Sequence, residues 1–239
     1  MNSQVAIVTG GGSGIGAAIA EELAGSGMRV MVVDCSVERL ETVKERISAS
    51  GGEVISAVAD VSDHRAMSSV ARDVVERFGR IDILVANAGI HDQSKVVDGD
   101  PERWARVVET NVLGVAYAAR AVLPAMYDQG TGHVVIVASV SGRVTYVGEP
   151  VYAASKHATV AFGDCLRQEA TPHGVKVTII EPGLVGTDML NENPFAQELI
   201  KQVTPLQPVD CARAVRFALE AAPNCSVNEI VLRPKEQVL

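Results

Sequence analysis

Val5-Ala6-Ile7-Val8-Thr9-Gly10-Gly11-Gly12-Ser13-Gly14-Ile15-Gly16 is an apolar, β-branched run that breaks into glycines and then enters a stretch of helical period. A strand that leads through glycines into a helix lets the backbone turn tightly and lets a pyrophosphate approach without a Cβ in the way. Free N–H groups at the helix N-terminus then meet the phosphate charge. Gly10, Gly12, Ser13, Gly14, Ile15 and Gly16 are therefore candidates to bind a dinucleotide. Elsewhere the same cluster would read as a flexible turn; its place between the first strand and the first helix favours a cofactor.

Working outward, the chain alternates short β-branched runs with longer helical patterns, the rhythm of β-α-β crossovers onto a parallel sheet. Strands are expected at Val5–Thr9, Arg29–Asp34, Glu53–Ala59, Ile81–Asn87, His133–Ser139, Lys176–Glu181 and Asn228–Leu232. Helices are expected at Gly14–Ser26, Val37–Ala49, Arg65–Phe78, Pro101–Tyr127, Pro150–Thr171 and Val209–Ala221. Several strands are apolar throughout, as when helices cover both faces of a sheet. Right-handed crossovers then give an α/β, doubly wound Rossmann-type domain of about seven parallel strands, with its ligand site where strand order reverses. No repeat or linker divides the 239 residues, so a single domain over 1–239 is expected. Leu184–Pro208, weakly periodic and rich in Asn, Gln and Pro, is the expected substrate lid.

A net charge of −8 argues against nucleic acid or an anionic membrane as partner, because both call for a basic face. No apolar run is long enough to span a bilayer, and the start lacks the pattern of a signal peptide, so a cytoplasmic location is expected. Cys35, Cys165, Cys211 and Cys225 have neither C-x-x-C spacing nor neighbouring histidines, which predicts reduced, mostly core cysteines and no metal site.

Asp34 ends the second strand about twenty residues past the glycine loop, where a carboxylate accepts hydrogen bonds from ribose hydroxyls. It would repel a 2′-phosphate, and no Lys or Arg precedes Arg29 to attract one. NAD is favoured over NADP on this ground, Arg39 being the basic residue that could reverse the preference. Read as a local feature, Asp34 would be a helix N-cap. Asp60, followed by Val61, reads locally as an N-cap, and Asn87-Ala88-Gly89 as a turn.

Tyr152-Ala153-Ala154-Ser155-Lys156 places a phenol and an ammonium four residues apart on one helical face. A phenol titrates near pH 10, and a nearby positive charge lowers that value by favouring the phenolate. Ser139 and Ser141 both lie close upstream; either hydroxyl could hold a substrate oxygen beside the phenol. Asn111 is a mediocre helix former inside a long helix and reads as a local irregularity.

In T-G-x-x-x-G-x-G, N-A-G, a Ser thirteen positions before Y-x-x-x-K, and Pro182-Gly183-Leu184-Val185-Gly186-Thr187, the chain resembles the short-chain dehydrogenase/reductase family from Val5 to about Arg233. The resemblance selects Ser139 over Ser141 and implies Asn111, Ser139, Tyr152 and Lys156 as the catalytic set, Asn111 holding a water in a proton relay to Lys156. It also implies that Asp60 and Val61 bracket the adenine, that Asn87, Ala88 and Gly89 lie against the cofactor, and that Pro182, Gly183, Val185 and Thr187 cradle the nicotinamide. Tyr152 and Lys156 would contact the cofactor as well. Ala86 and Ala138 stand where Asn and Ser are frequent, and neither removes a catalytic atom. Assembly is expected as a homotetramer or homodimer through Pro101–Tyr127 and Pro150–Thr171. The implied activity is NAD-dependent interconversion of a secondary alcohol and a ketone.

Three other readings compete: a non-catalytic NAD-binding regulator, which the intact Ser139, Tyr152 and Lys156 disfavour; an NADP-dependent carbonyl reductase; and a hydroxy-acid reductase with Arg143 on the substrate carboxylate. For Arg143 a solvated loop position is the blander alternative. His91, Arg143, Tyr146, Val147, Leu184, Met189, Leu190 and Phe195 are the candidate substrate-pocket residues, mostly apolar. Trp104 is expected to pack in the core or an interface, and His157 to lie at the surface.

Overall fold

A computed structural model describes residues 4–191 and 202–237. Seven strands, β1 (Val5–Thr9), β2 (Arg29–Asp34), β3 (Glu53–Val58), β4 (Ile83–Ala86), β5 (Gly132–Val137), β6 (Val175–Pro182) and β7 (Glu229–Leu232), form one parallel sheet in the order β3-β2-β1-β4-β5-β6-β7. The order reverses between β1 and β4, which pair from Ala6 with Ile83 to Val8 with Val85. Loops leaving those two strands diverge and open a crevice at their carboxyl ends.

Helices cover both faces. On one side α1 (Gly14–Gly25), α2 (Val37–Ala49) and α8 (Pro208–Leu219) bury Ile19, Leu23, Leu40, Val43 and Val215 against Val8, Val32 and Ile180. On the other, α3 (His64–Phe78), α5 (Gly114–Gln129) and α6 (Pro150–Ala170) bury Met67, Val70, Val122 and Leu166 against Ile7, Met31, Leu84 and Ile136. Each such side chain removed from water contributes about 1.5–3 kcal/mol. This is why β1, β4 and β5 read as continuous apolar runs, with no polar alternation.

Local corrections have identifiable causes. The long helix over Pro101–Tyr127 is interrupted: α4 (Pro101–Val108) passes into a π-helical turn at Glu109–Leu113 before α5 begins. Asn111 sits in that turn, so the expected irregularity is there and has a defined form. Helix α3 is capped by Asp63, whose carboxylate accepts from Arg65 N and Ala66 N at 2.8 and 3.3 Å, and not by Asp60. Asp60 instead accepts from the backbone N and hydroxyl of Ser62. Similarly Ser36 caps α2, not Asp34. A short helix α7 (Asp188–Asn191) opens the expected lid, of which residues 192–201 lie outside the described residues.

The cysteine expectation is corrected too: Cys35, Cys165 and Cys225 are free and exposed, and only Cys211 is buried. Three of them face outward from helices and loops, positions that composition and spacing do not distinguish. No described helix is long and apolar enough to cross a membrane.

Candidate active site

A cleft of about 700 Å³ runs along the carboxyl ends of β1, β2 and β4. It is lined by Gly10, Ser13, Gly14, Ile15, Asp34, Asp60, Val61, Asn87, Ala88, Gly89, Tyr152, Lys156 and Thr187, so the expected dinucleotide residues converge on one surface. Gly10 and Gly14 have φ of +61° and +52°, the left-handed region that disfavours side chains. Gly12 and Gly16 do not line the cleft but allow the loop to close. A Cβ on Gly16 would stand 2.1 Å from Gly10 O and 2.5 Å from Asn87 Nδ2. No side chain caps α1 at Ser13, and its first turn carries no acidic residue, so its N-terminus is free to meet an anion. The glycine cradle, the uncapped helix end and the cleft volume fit a dinucleotide.

Asn87 ties the crevice walls together. Its Nδ2 donates to Thr9 O and Gly10 O at 3.0 and 3.1 Å, and its backbone N donates to Thr9 Oγ1 at 3.1 Å. Asp34 does the same for β2: its carboxylate accepts from Gly12 N at 3.1 Å and Ser36 N at 3.0 Å. The exposed Arg39 lines the cleft beside it. At the far end Thr187 Cγ2 would meet a Cβ on Gly14 at 3.1 Å, bringing the Pro182–Thr187 loop over the glycine loop. Pro182, Gly183 and Val185 line the neighbouring cleft instead.

Tyr152 lies where that first cleft meets a second of about 450 Å³. Burial pushes its hydroxyl up to about 12, helped by the Glu149 charge and opposed by a hydrogen bond from Ser139. Lys156 Nζ stands 5.8 Å from the Tyr152 ring centroid and donates to Val137 O at 3.1 Å. Its own value falls to about 8, because burial disfavours the ammonium. Desolvation is the leading influence on the phenol in the protein alone, and the expected lowering by Lys156 is not seen there.

Ser139 caps a 3₁₀ turn over Val140–Gly142, and its Oγ accepts from Ser141 N at 3.1 Å. Its own proton reaches Pro182 O only at 3.5 Å, a weak contact that leaves the hydroxyl able to turn to another acceptor. The Ser141 hydroxyl donates to Glu149 Oε1 at 2.8 Å and is thereby occupied. Asn111 is buried outside both clefts. Its Oδ1 accepts from Ile90 N at 2.8 Å, and its Nδ2 donates to Ile90 O and Ser155 Oγ at 2.9 and 3.0 Å. The side chain ties the loop after β4 to α6, and Thr159 Oγ1 donates to the backbone carbonyl of Asn111 at 3.0 Å.

Of the expected pocket residues, His91, Tyr146, Val147, Leu184, Met189 and Leu190 line the second cleft, while Phe195 lies outside the described residues. Arg143 does not join them. It grips Glu181 through Nε to Oε2 at 2.7 Å and Nη2 to Oε1 at 2.6 Å, and it also bonds Glu229. The arginine is exposed and in a loop, as the blander reading has it, but its guanidinium is tied to the buried carboxylate of Glu181, 38 positions away in sequence and out of reach of local reasoning.

Sequence reasoning missed Glu149. At the N-cap of α6, three residues before Tyr152, it holds Ser141 and lies 3.2 Å from His91 Nε2. The His91 ring stands edge-on to Tyr152 with centroids 4.4 Å apart. Its spacing from Tyr152 was the one available signal. The C-terminal Glu236 and Gln237, also on this cleft, carried none. Trp104 is part-buried, its Nε1 donating to Asp92 and Ser94, and His157 is exposed.

The family model described as short chain dehydrogenase matches residues 4–198. An uncharacterized oxidoreductase of Staphylococcus saprophyticus is 35% identical over 235 residues, 98% of each chain. The glycine betaine reductase of Emericella nidulans is 34% identical over 99% of this chain, which spans only 19% of that relative's length. An alcohol dehydrogenase from the archaeon Thermococcus sibiricus, solved with 5-hydroxy-NADP, superposes with a TM-score of 0.89 at 29% identity over 99% of both chains. With a parallel sheet in the same architecture and glycines, Tyr152 and Lys156 gathered on one crevice, the chain belongs to the short chain dehydrogenase family, whose members are NAD(P)-using oxidoreductases.

Proposed function

We propose that the chain interconverts a secondary alcohol and a ketone with NAD(H), Tyr152 transferring the proton. The observation that carries this reading is the position of Tyr152, buried at the junction of the two clefts with Ser139 and Lys156 beside it. NAD, when bound, supplies the acceptor for a hydride. In oxidation Ser139 and Tyr152 hold the alcohol hydroxyl. The phenolate of Tyr152 takes the O–H proton while the carbinol C–H pair leaves as hydride and the C=O bond forms. Reduction retraces the path.

Reaching the phenolate requires a positive field to overcome burial. Lys156, still an ammonium below about pH 8, supports it, as does the positive charge of an oxidised nicotinamide. Asn111 acts on this reading chiefly by positioning: its amide fixes Ile90, hence the cleft wall from Asn87 to His91. The preference for NAD rests on the Asp34 carboxylate in the cleft, with Arg39 beside it as the opposing influence. A single domain, a substrate lid over 184–208, assembly of copies through the Pro101–Tyr127 and Pro150–Thr171 helices, and a cytoplasmic location belong to the same proposal.

The test is titration with NADH and NADPH, followed by turnover of an alcohol and ketone panel by wild type and Tyr152→Phe. Tighter NADH binding, with a loss of about 10²–10⁴-fold in turnover by the variant, is the expected result. Cofactor binding without turnover by the wild type would instead favour a regulator.

A further inference from the structure

We infer that the second cleft selects substrates carrying a cationic centre near the carbinol or carbonyl carbon, with Glu149 as the residue that recognises the charge; this deepens the proposed function and rests on it. Among the described residues, the acidic side chains lining this cleft are Glu149 and Glu236, and no Lys or Arg lines it. Lys156 faces the dinucleotide cleft. Arg143, the one guanidinium the sequence offered to a substrate, is held by Glu181 and Glu229. Arg103 also lines the dinucleotide cleft, its Nη2 donating to His91 O at 2.6 Å.

Glu149 is closed in, with 13% of its side chain exposed, yet among the described residues its ion-pair partner is His91 alone. Its other partner, the Ser141 hydroxyl, brings a dipole without charge. A carboxylate enclosed to this degree gains when a ligand delivers a full positive charge beside it. Tyr146, Tyr152 and His91 add aromatic rings to the same cleft, surfaces that attract an alkylammonium group. A carboxylate substrate would instead approach Glu149 and Glu236, and among the described residues no Lys or Arg lines the cleft to receive it, which weighs against the hydroxy-acid reading. There is also a consequence for the proton transfer. The Glu149 charge makes the Tyr152 phenolate harder to form, and a substrate cation seated beside both would offset that field.

Three matched secondary alcohols test this: one bearing a trimethylammonium group, its uncharged tert-butyl isostere, and the corresponding carboxylate. Binding is measured calorimetrically to the NADH-loaded enzyme, an abortive complex in which no hydride moves, and turnover is measured separately with NAD and NADP. The cation is expected to bind about tenfold or more tightly than the neutral isostere, and the carboxylate more weakly than either. Glu149→Gln should bring the cation-to-neutral ratio close to one and Glu149→Asp should retain part of it, with NADH binding reporting an intact fold in each. Equal binding of cation and neutral isostere, or a ratio that survives Glu149→Gln, overturns the inference. Cation-selective binding without oxidation under either cofactor supports the selectivity and overturns the oxidoreductase reading of the site; oxidation of cation and isostere with equal kcat/KM does the reverse.

Discussion

Arg143 and Glu181 form a bidentate pair in which the carboxylate is fully buried at the end of β6 while the guanidinium remains partly open to solvent. Removing the arginine would strand a charge in the core. Arg143→Met is expected to destabilise the fold by about 3–5 kcal/mol, read by urea unfolding. Adding Glu181→Gln should restore a large part of the loss. A single Arg143→Met variant as stable as wild type would show that Glu229 or water replaces the pair.

Gly16→Ala addresses the dinucleotide loop. Its new Cβ would stand 2.1 Å from Gly10 O, and that backbone can yield only by opening the loop. The expected outcome is at least about tenfold weaker NADH binding by calorimetry, with a stability loss of about 1–3 kcal/mol.

Asp34→Ser removes a carboxylate from the cleft and leaves Arg39 uncontested. Preference for NADH over NADPH should fall on the order of tenfold, measured as the ratio of the two dissociation constants. An unchanged ratio would place cofactor discrimination elsewhere.

Hydrogen exchange can read the positioning role of Asn111. Ile90 N donates to its Oδ1, so Asn111→Ala should lower protection of the Ile90 amide while the β1–β4 ladder stays protected. Protection of Ile90 equal to wild type would show that the loop is held by other contacts.

His133 gives the fold an acid limit. Thr178 Oγ1 donates its proton to Val227 O, so the 2.7 Å contact requires His133 Nε2 to be the donor. Burial, with the nearby Lys176 charge, lowers the imidazole from the ordinary 6.5 to about 4. Since the unfolded chain binds a proton here first, stability is full above about pH 6.5 and declines as pH falls towards 4. The contribution is about 3 kcal/mol in all. His133→Gln should flatten this part of the stability–pH curve.

What could be read from the sequence follows the range of the interactions. β1 and β2 match their expected bounds because continuous apolar runs and the glycine loop fix them locally. β4 is shorter than expected at both ends: Ile81 N turns to Gln129 Oε1, and Asn87 leaves the ladder to bind Thr9. Most of the residues expected to hold a dinucleotide line one cleft because the glycine loop, the strand ends and the start of α6 that carry them were each marked by a local pattern. Glu149 with His91, and Arg143 with Glu181, join segments 58 and 38 positions apart, and no local pattern records such meetings.

The reversal of strand order between β1 and β4 also partitions the molecule for engineering. Asp34 and Arg39 stand on the β2 side, while Glu149 and Tyr146 follow β5 on the other, and among the described residues the two groups share no hydrogen-bond partner. Substitutions that retune the coenzyme and substitutions that retune the reactant should therefore combine additively. One half of the protein could be redesigned while the other is left as it is.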